Sequence, residues 1–191
     1  MALIMYERLG HGGGGPARSR VHDSWNIACH LEDRYPDRPS LFGGEAGRGL
    51  ARLANHWSVE ALGPAIRRLI ADFIQCLAEE DRAYYRSSRE AAFGMTLEEY
   101  CADRPRRLAE FADTVAPLEK KLAEQPYLAG AAPSYADYLV FSIFQYARLG
   151  AREDFVAEGT ALRRGRGGLA DSFDGLGNRY PRYPVYAALV E

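Results

Sequence analysis

The sequence predicts an all-α fold, and three observations carry that expectation. From Asp23 onward, apolar residues recur three and four positions apart, the period of a helix that buries one face. Two helix-start signatures, Thr96-x-x-Glu99 and Ser134-x-x-Asp137, stand directly before apolar periodic runs. No alternating run long enough to read as a strand follows Asp23.

The elements follow in order. Gly12 to Gly15 are consecutive glycines, followed by Pro16, Arg18 and Arg20. Such a stretch gains little from burial and loses much backbone entropy on ordering, so residues 7–22 are expected to be disordered within an arm spanning 1–22. Ile27 and Leu31 then share a helical face, and Pro36 and Pro39 close that segment with a turn. Leu50, Leu53, Ala54, Trp57 and Ala61 keep helical spacing up to Gly63-Pro64, and Ile66, Leu69, Ile70, Phe73, Ile74 and Leu77 resume it. Pro64 lacks an amide hydrogen and should kink or split the run.

Gly94 is placed to end the charged and aromatic stretch 80–93 as a left-handed cap. Thr96 and Glu99 open the next helix, carrying Leu97, Leu108, Phe111, Val115, Leu118 and Leu122, with Pro105 and Pro117 expected to bend or interrupt it. Ser134 and Asp137 form a capping pair for a helix from Tyr138 to Ala147 that is apolar around most of its circumference, as suits the middle of a bundle. A buried helix start cannot use water for its free amides, so the role expected of this pair is structural. Gly159, Gly165, Gly167 and Gly168 should interrupt the last helices, leaving the packing of Phe173 and Leu176 open.

Bulk properties narrow the function. The formal charge is −2 with acidic and basic residues interspersed, so there is no electrostatic footprint for nucleic acid or an anionic membrane. Small-molecule chemistry or a protein partner is favoured. Cys29, Cys76 and Cys101 are odd in number and lack a C-x-x-C spacing, which argues against a disulfide framework or zinc site and casts them as core residues. His22, His30 and His56 have no metal-ligand spacing, and His11 lies among the glycines, so no metal is expected. Met1 to Tyr6 is too short for the apolar part of a signal peptide, and no run is long and apolar enough to span a bilayer. A cytoplasmic protein is the default expectation.

Several segments resemble the glutathione S-transferases, in particular the bacterial and fungal branch that includes lignin β-etherases. Asp23-Ser24-Trp25-Asn26-Ile27 through Tyr35-Pro36-Asp37-Arg38-Pro39 is similar to the end of that family's thioredoxin-like domain. Phe93-Gly94-Met95-Thr96-Leu97-Glu98-Glu99, Gln125-Pro126-Tyr127-Leu128-Ala129-Gly130 and Pro133-Ser134-Tyr135-Ala136-Asp137-Tyr138 are similar to its helical domain. Phe173-Asp174-Gly175-Leu176 and Tyr183-Pro184-Val185-Tyr186 resemble its closing segment. The resemblance implies a remnant of the thioredoxin-like domain over 23–42 and the C-terminal helical bundle over 43–191.

In that family the thioredoxin-like half holds glutathione as co-substrate, ionises its thiol, and leaves most of the second-substrate pocket to the helical half. A βαβ unit takes roughly 30 residues, and the Gly-, Pro- and Arg-rich stretch before Asp23 does not read as one. Tyr6 and Ser19 have the chemistry of a thiol activator but not the strand-then-helix setting it needs. The resemblance places Asp23 and Ser24 at the γ-glutamyl end of glutathione, against the alternative that Asp23 simply caps its helix. It also points to Asn55, Trp57, Tyr84 and Tyr85 as pocket residues.

Intact relatives would conjugate glutathione to a small electrophile or cleave an aryl ether with it, whereas this chain alone is expected to be inactive. The alternative is a non-catalytic helical module acting in protein association, as a homodimer or other self-associated form, through a face such as that of Trp25 and Ile27. A displaced reading frame or start upstream of Asp23 would also fit the composition of residues 7–22.

Overall fold

The structure is a computed structural model that describes residues 4–8 and 18–179. The chain divides into two compact units, Met1–Gly49 and Leu50–Glu191. The division falls inside a helix, past the 42–43 boundary that the resemblance suggests.

In the first unit, strands β1 (Ile4–Arg8) and β2 (Arg18–His22) pair antiparallel, with Ile4 opposite His22 and Arg8 opposite Arg18. Glu7, Arg8 and residues 18–22, within the stretch expected to be disordered, lie in these strands. Backbone pairing satisfies amides that the composition gave no reason to order. Residues 1–3 and 9–17, glycine run included, lie outside the described residues.

Helix α1 (Ser24–Arg34) follows, with Ile27 and Ala28 buried. The exposure expected of Trp25 and Ile27 is not found, because the chain folds back over them. Glu32 accepts from the Ser40 hydroxyl and, at 2.7 Å, from the Leu41 amide. Ser40 Oγ in turn accepts from the amides of Phe42 and Gly43. This latch lays the buried Phe42 ring 5.4 Å from that of Trp25, and Ile27 is only 8% exposed.

Among its described residues the second unit is helical, apart from an isolated bridge between Tyr127 and Gly130. Helix α2 (Glu45–Trp57) runs through a π turn, Ser58–Leu62, into α3 (Gly63–Arg67). The expected effect of Pro64 takes this form: the Gly63 amide donates five residues back to Ser58, and the proline sits in the first turn of α3, where its missing amide hydrogen costs nothing. The helix expected to continue through Leu77 instead ends at Arg67 and gives way to a 3₁₀ turn, Ala71–Cys76. Leu69 and Ile70 are buried on arrival at that turn, so apolar spacing there reflects burial in a non-helical path.

Helix α4 (Glu79–Phe93) ends on Gly94 at φ +69°, whose amide donates to Glu90 O. Thr96 and Glu99 form the expected capping box on the short α5 (Leu97–Tyr100). The run then breaks at Asp103, a left-handed N-cap accepting from the Arg106 amide, and Pro105 occupies the first turn of α6 (Arg104–Glu124). Pro117 lies inside α6 without ending it.

Helix α7 (Tyr135–Gly150) occupies the middle of this unit. Its Val140, Phe144 and Ala147 join Leu62, Ile66, Leu69 and Ile70, Phe111, Val115 and Leu118 of α6, and Leu162 in one core. Helix α8 (Ala161–Gly175) continues through Gly165, Gly167 and Gly168, correcting the interruption expected there. Its start is held from outside: Glu119 of α6 accepts from the Ala161 and Leu162 amides, each at 2.8 Å, beside the Thr160 cap. The break comes later, where Phe173 and Asp174 take positive φ, leaving Phe173 and Leu176 exposed. Cys76 is exposed, and Cys29 and Cys101 are half-buried, so the cysteines are not the core residues expected. Cys76 closes the 3₁₀ turn, with its thiol directed to the Leu149 carbonyl.

Candidate functional site

At the start of α1, Asp23 stands at φ +73°, ψ +134° and caps the helix, its Oδ1 accepting from the amides of Trp25 at 3.0 Å and Asn26 at 3.2 Å. Side chains rarely adopt this backbone conformation, and residues held in such regions cluster at functional sites. Both Asp23 and Ser24 are exposed at this helix start. Tyr6 and Ser19 stand in β1 and β2.

The four proposed pocket residues are not brought together. Trp57 packs half-buried against the core, and Asn55 is half-buried on the same helix. Tyr84 points outward, 77% exposed. Tyr85, one residue on and a third of a turn around α4, faces inward. Its ring lies 5.5 Å from that of Phe73, which in turn lies 4.8 Å from Tyr146 of α7.

These rings, with Ile70, Leu97 and Arg67, line a cleft with about 340 Å³ of empty space measured out to its solvent-facing mouth. Burial pushes the Tyr146 hydroxyl far above the ordinary tyrosine range, and the neighbouring Tyr85 adds to that shift. Arg67 and Arg89 oppose it with positive charge. Arg89 lies over the Tyr85 ring, 5.5 Å from its centre. At the cleft wall the Cys101 thiol donates to the Arg67 carbonyl.

Arg67, Phe73 and Tyr146 line this cleft beside Tyr85, and nothing in the sequence named them as pocket residues. Tyr146 sits in the most apolar helix and reads as core, while Arg67 reads as an ordinary basic residue in a last helical turn. Only the fold shows that 67, 85 and 146 converge. A second apolar cavity lies between α6, α7 and α8, lined by Leu122, Leu128, Phe144 and Leu169. Its two charged residues are already engaged, Asp137 with backbone amides and Arg166 with Asp154. Among the described residues there is no group of three His, Cys, Asp or Glu able to hold a metal, and no helix long and apolar enough to cross a membrane.

The second unit is thus a helical unit built on a capped central helix, and its class follows from the family it matches. The family model for the glutathione S-transferase C-terminal domain matches residues 50–172, so the chain belongs to that family. The glutathione S-transferase-like protein ustS of Aspergillus flavus is 26% identical over 136 residues, covering 65% of this chain and 49% of that protein.

Among solved structures, a glutathione S-transferase of Ceriporiopsis subvermispora in complex with glutathione aligns with a TM-score of 0.58 at 20% identity, covering 85% of this chain and 64% of that one. The glutathione transferase GSTFuA2 of Phanerochaete chrysosporium aligns with a TM-score of 0.60 at 24% identity, covering 85% of this chain and 64% of its own. At these identities the structural likeness shows the fold. The chain spans about half the length of the curated relative and under two thirds of these structures.

Proposed function

We propose that this chain is the helical, second-substrate half of a glutathione-dependent transferase, acting on a small electrophile or aryl ether, and that the 191-residue chain alone does not ionise the glutathione thiol. The observation that carries the reading is the match of residues 50–172 to the family's C-terminal domain. The Tyr85 cleft is the second-substrate site in this reading. Support for a residual glutathione contact comes from Asp23, held in a backbone conformation that a simple cap does not require, with the exposed Ser24 beside it. A γ-glutamyl carboxylate would take Ser24 and the helix start, and its ammonium would face Asp23.

Against thiol activation in this chain, the described residues before Asp23 form one antiparallel strand pair. Tyr6 is in a strand whose partner runs directly into Asp23, with no described helix between them. Calorimetric titration with glutathione, run beside a conjugation assay on a generic electrophile, tests the proposal. Binding weaker than millimolar and no turnover are expected. Micromolar binding with turnover would show that a complete site assembles from this chain.

The alternative, a non-catalytic association module, has one observation in its favour. Leu50 and Leu53 on α2 are each 66% exposed, and Val59 in the π turn is 60% exposed. Exposed apolar side chains on one helical run suit a protein contact. Sedimentation of the wild type and a Leu50→Lys, Leu53→Lys variant decides it: a dimer lost in the variant supports association, and a monomer in both excludes it.

A further inference from the structure

We infer that the Arg67–Tyr85–Tyr146 cleft selects aromatic ligands that carry a negative charge, with Arg67 as the residue that reads the charge; this rests on the reading of the cleft as the second-substrate site.

Most arginines of this unit have a partner for the guanidinium: Arg86 pairs with Glu90 and Glu98, Arg104 with Glu153, Arg106 and Arg107 with Glu110, while Arg82 and Arg164 donate to backbone carbonyls. Arg67 is half-buried on the cleft wall, yet it forms no ion pair with any described residue, and neither does Arg89. A guanidinium partly removed from water with no counter-charge is disfavoured until an anion supplies one. Its position in the last turn of α3 accounts for a positive residue there, but not for its lining the cleft.

The remaining walls define the rest of the ligand. Phe73, Tyr85 and Tyr146 offer ring faces and edges at 4.8 to 5.5 Å spacing, and Ile70 and Leu97 close the apolar side. Aromatic rings pack on such surfaces in offset or tilted arrangements. The charge on the ligand cannot be met by the tyrosines as acids, because the Tyr146 hydroxyl stays protonated to well above neutral pH. The hydroxyl pair is left to donate a hydrogen bond, which a carboxylate accepts. The ring walls suit an aromatic carboxylate lying with its acid group toward Arg67.

The test uses 2-naphthoate and its neutral isostere 2-naphthamide, titrated into the full chain by intrinsic fluorescence, with Arg67→Gln and Arg67→Lys variants checked by thermal melts. Wild type is expected to bind naphthoate at least about tenfold more tightly than naphthamide, and Arg67→Gln to abolish the preference while naphthamide affinity is unchanged. Arg67→Lys, if folded, should retain part of the preference. Equal affinity for the two probes in wild type, or a preference that survives in Arg67→Gln, overturns the inference while leaving the cleft as a binding site. Binding of neither probe overturns both the inference and the assignment of the cleft.

Discussion

Asp137 Oδ1 lies 2.7 Å from the backbone nitrogen of Leu128, nine residues earlier in the chain. Its other oxygen accepts from the Ser134 amide at 2.9 Å and the Ser134 hydroxyl at 2.7 Å. The carboxylate is 3% exposed, so each of these donors would be stranded without it. Asp137→Ala is expected to destabilise the chain by about 3 kcal/mol, above the usual value for a lost cap because the connecting loop is released as well. Urea unfolding measures this, and a loss below about 0.5 kcal/mol would remove the carboxylate from the structural role assigned to it.

Glu119 should hold α8 in place from a distance of forty-odd residues. Its two oxygens take the first two amides of that helix, where the positive end of the helix dipole adds to the attraction. Glu119→Ala should cost about 1 kcal/mol and speed hydrogen exchange at Ala161 and Leu162. Exchange unchanged at those two amides would mean that Thr160 caps the helix sufficiently alone.

Acid should loosen the loop before α8 through Asp154. Burial works to raise its pKa, but Arg166 and Arg163, with the Val156 amide, outweigh that and hold it below the ordinary carboxylate value. A group whose folded pKa is depressed contributes stability above its unfolded pKa, about 3.9, and loses it as pH falls through the lower folded value. Stability should therefore decline below about pH 4, and Asp154→Asn should flatten part of that decline while costing about 2 kcal/mol at pH 7. Urea midpoints across pH 2 to 7 test it, and parallel curves for the two proteins would contradict it.

The late glycines should respond in opposite senses. A Cβ at Gly167 meets nothing within 4 Å, so Gly167→Ala should stabilise by about 0.5 to 1 kcal/mol. At Gly177 a Cβ would lie 2.8 Å from the Ala170 Cα and the Phe141 ring. The same residue's carbonyl accepts from Gln145 and Arg148, so Gly177 cannot easily move away. Gly177→Ala should destabilise by about 2 kcal/mol. Thermal melts that ranked the two variants in the reverse order would refute the packing described for this end of the chain.

What could be read from the sequence was local chemistry. Thr96 with Glu99, Ser134 with Asp137, and Gly94 act through neighbours within a turn, and the structure places each at the helix end its spacing indicates. The run Leu69 to Leu77 misled because helical and 3₁₀ paths both bury residues three apart. Trp25 appeared exposed because its ring neighbour Phe42 arrives through a Glu32–Ser40 contact that no spacing rule encodes. Tyr85, named by resemblance, lines the proposed cleft. Arg67 was not named, since its meaning depends on the lack of a carboxylate in three dimensions.

The Asp137 arrangement sets the terms on which this chain can be redesigned. Its carboxylate grips the connection between α6 and α7 by the main chain, at Leu128 and Ser134, so the grip is indifferent to most side chains between those points. Gly130, at φ +135°, is the exception. The connection should thus accept new sequence readily and new length hardly at all, which makes residues 131–133 a place to substitute and a poor place to insert.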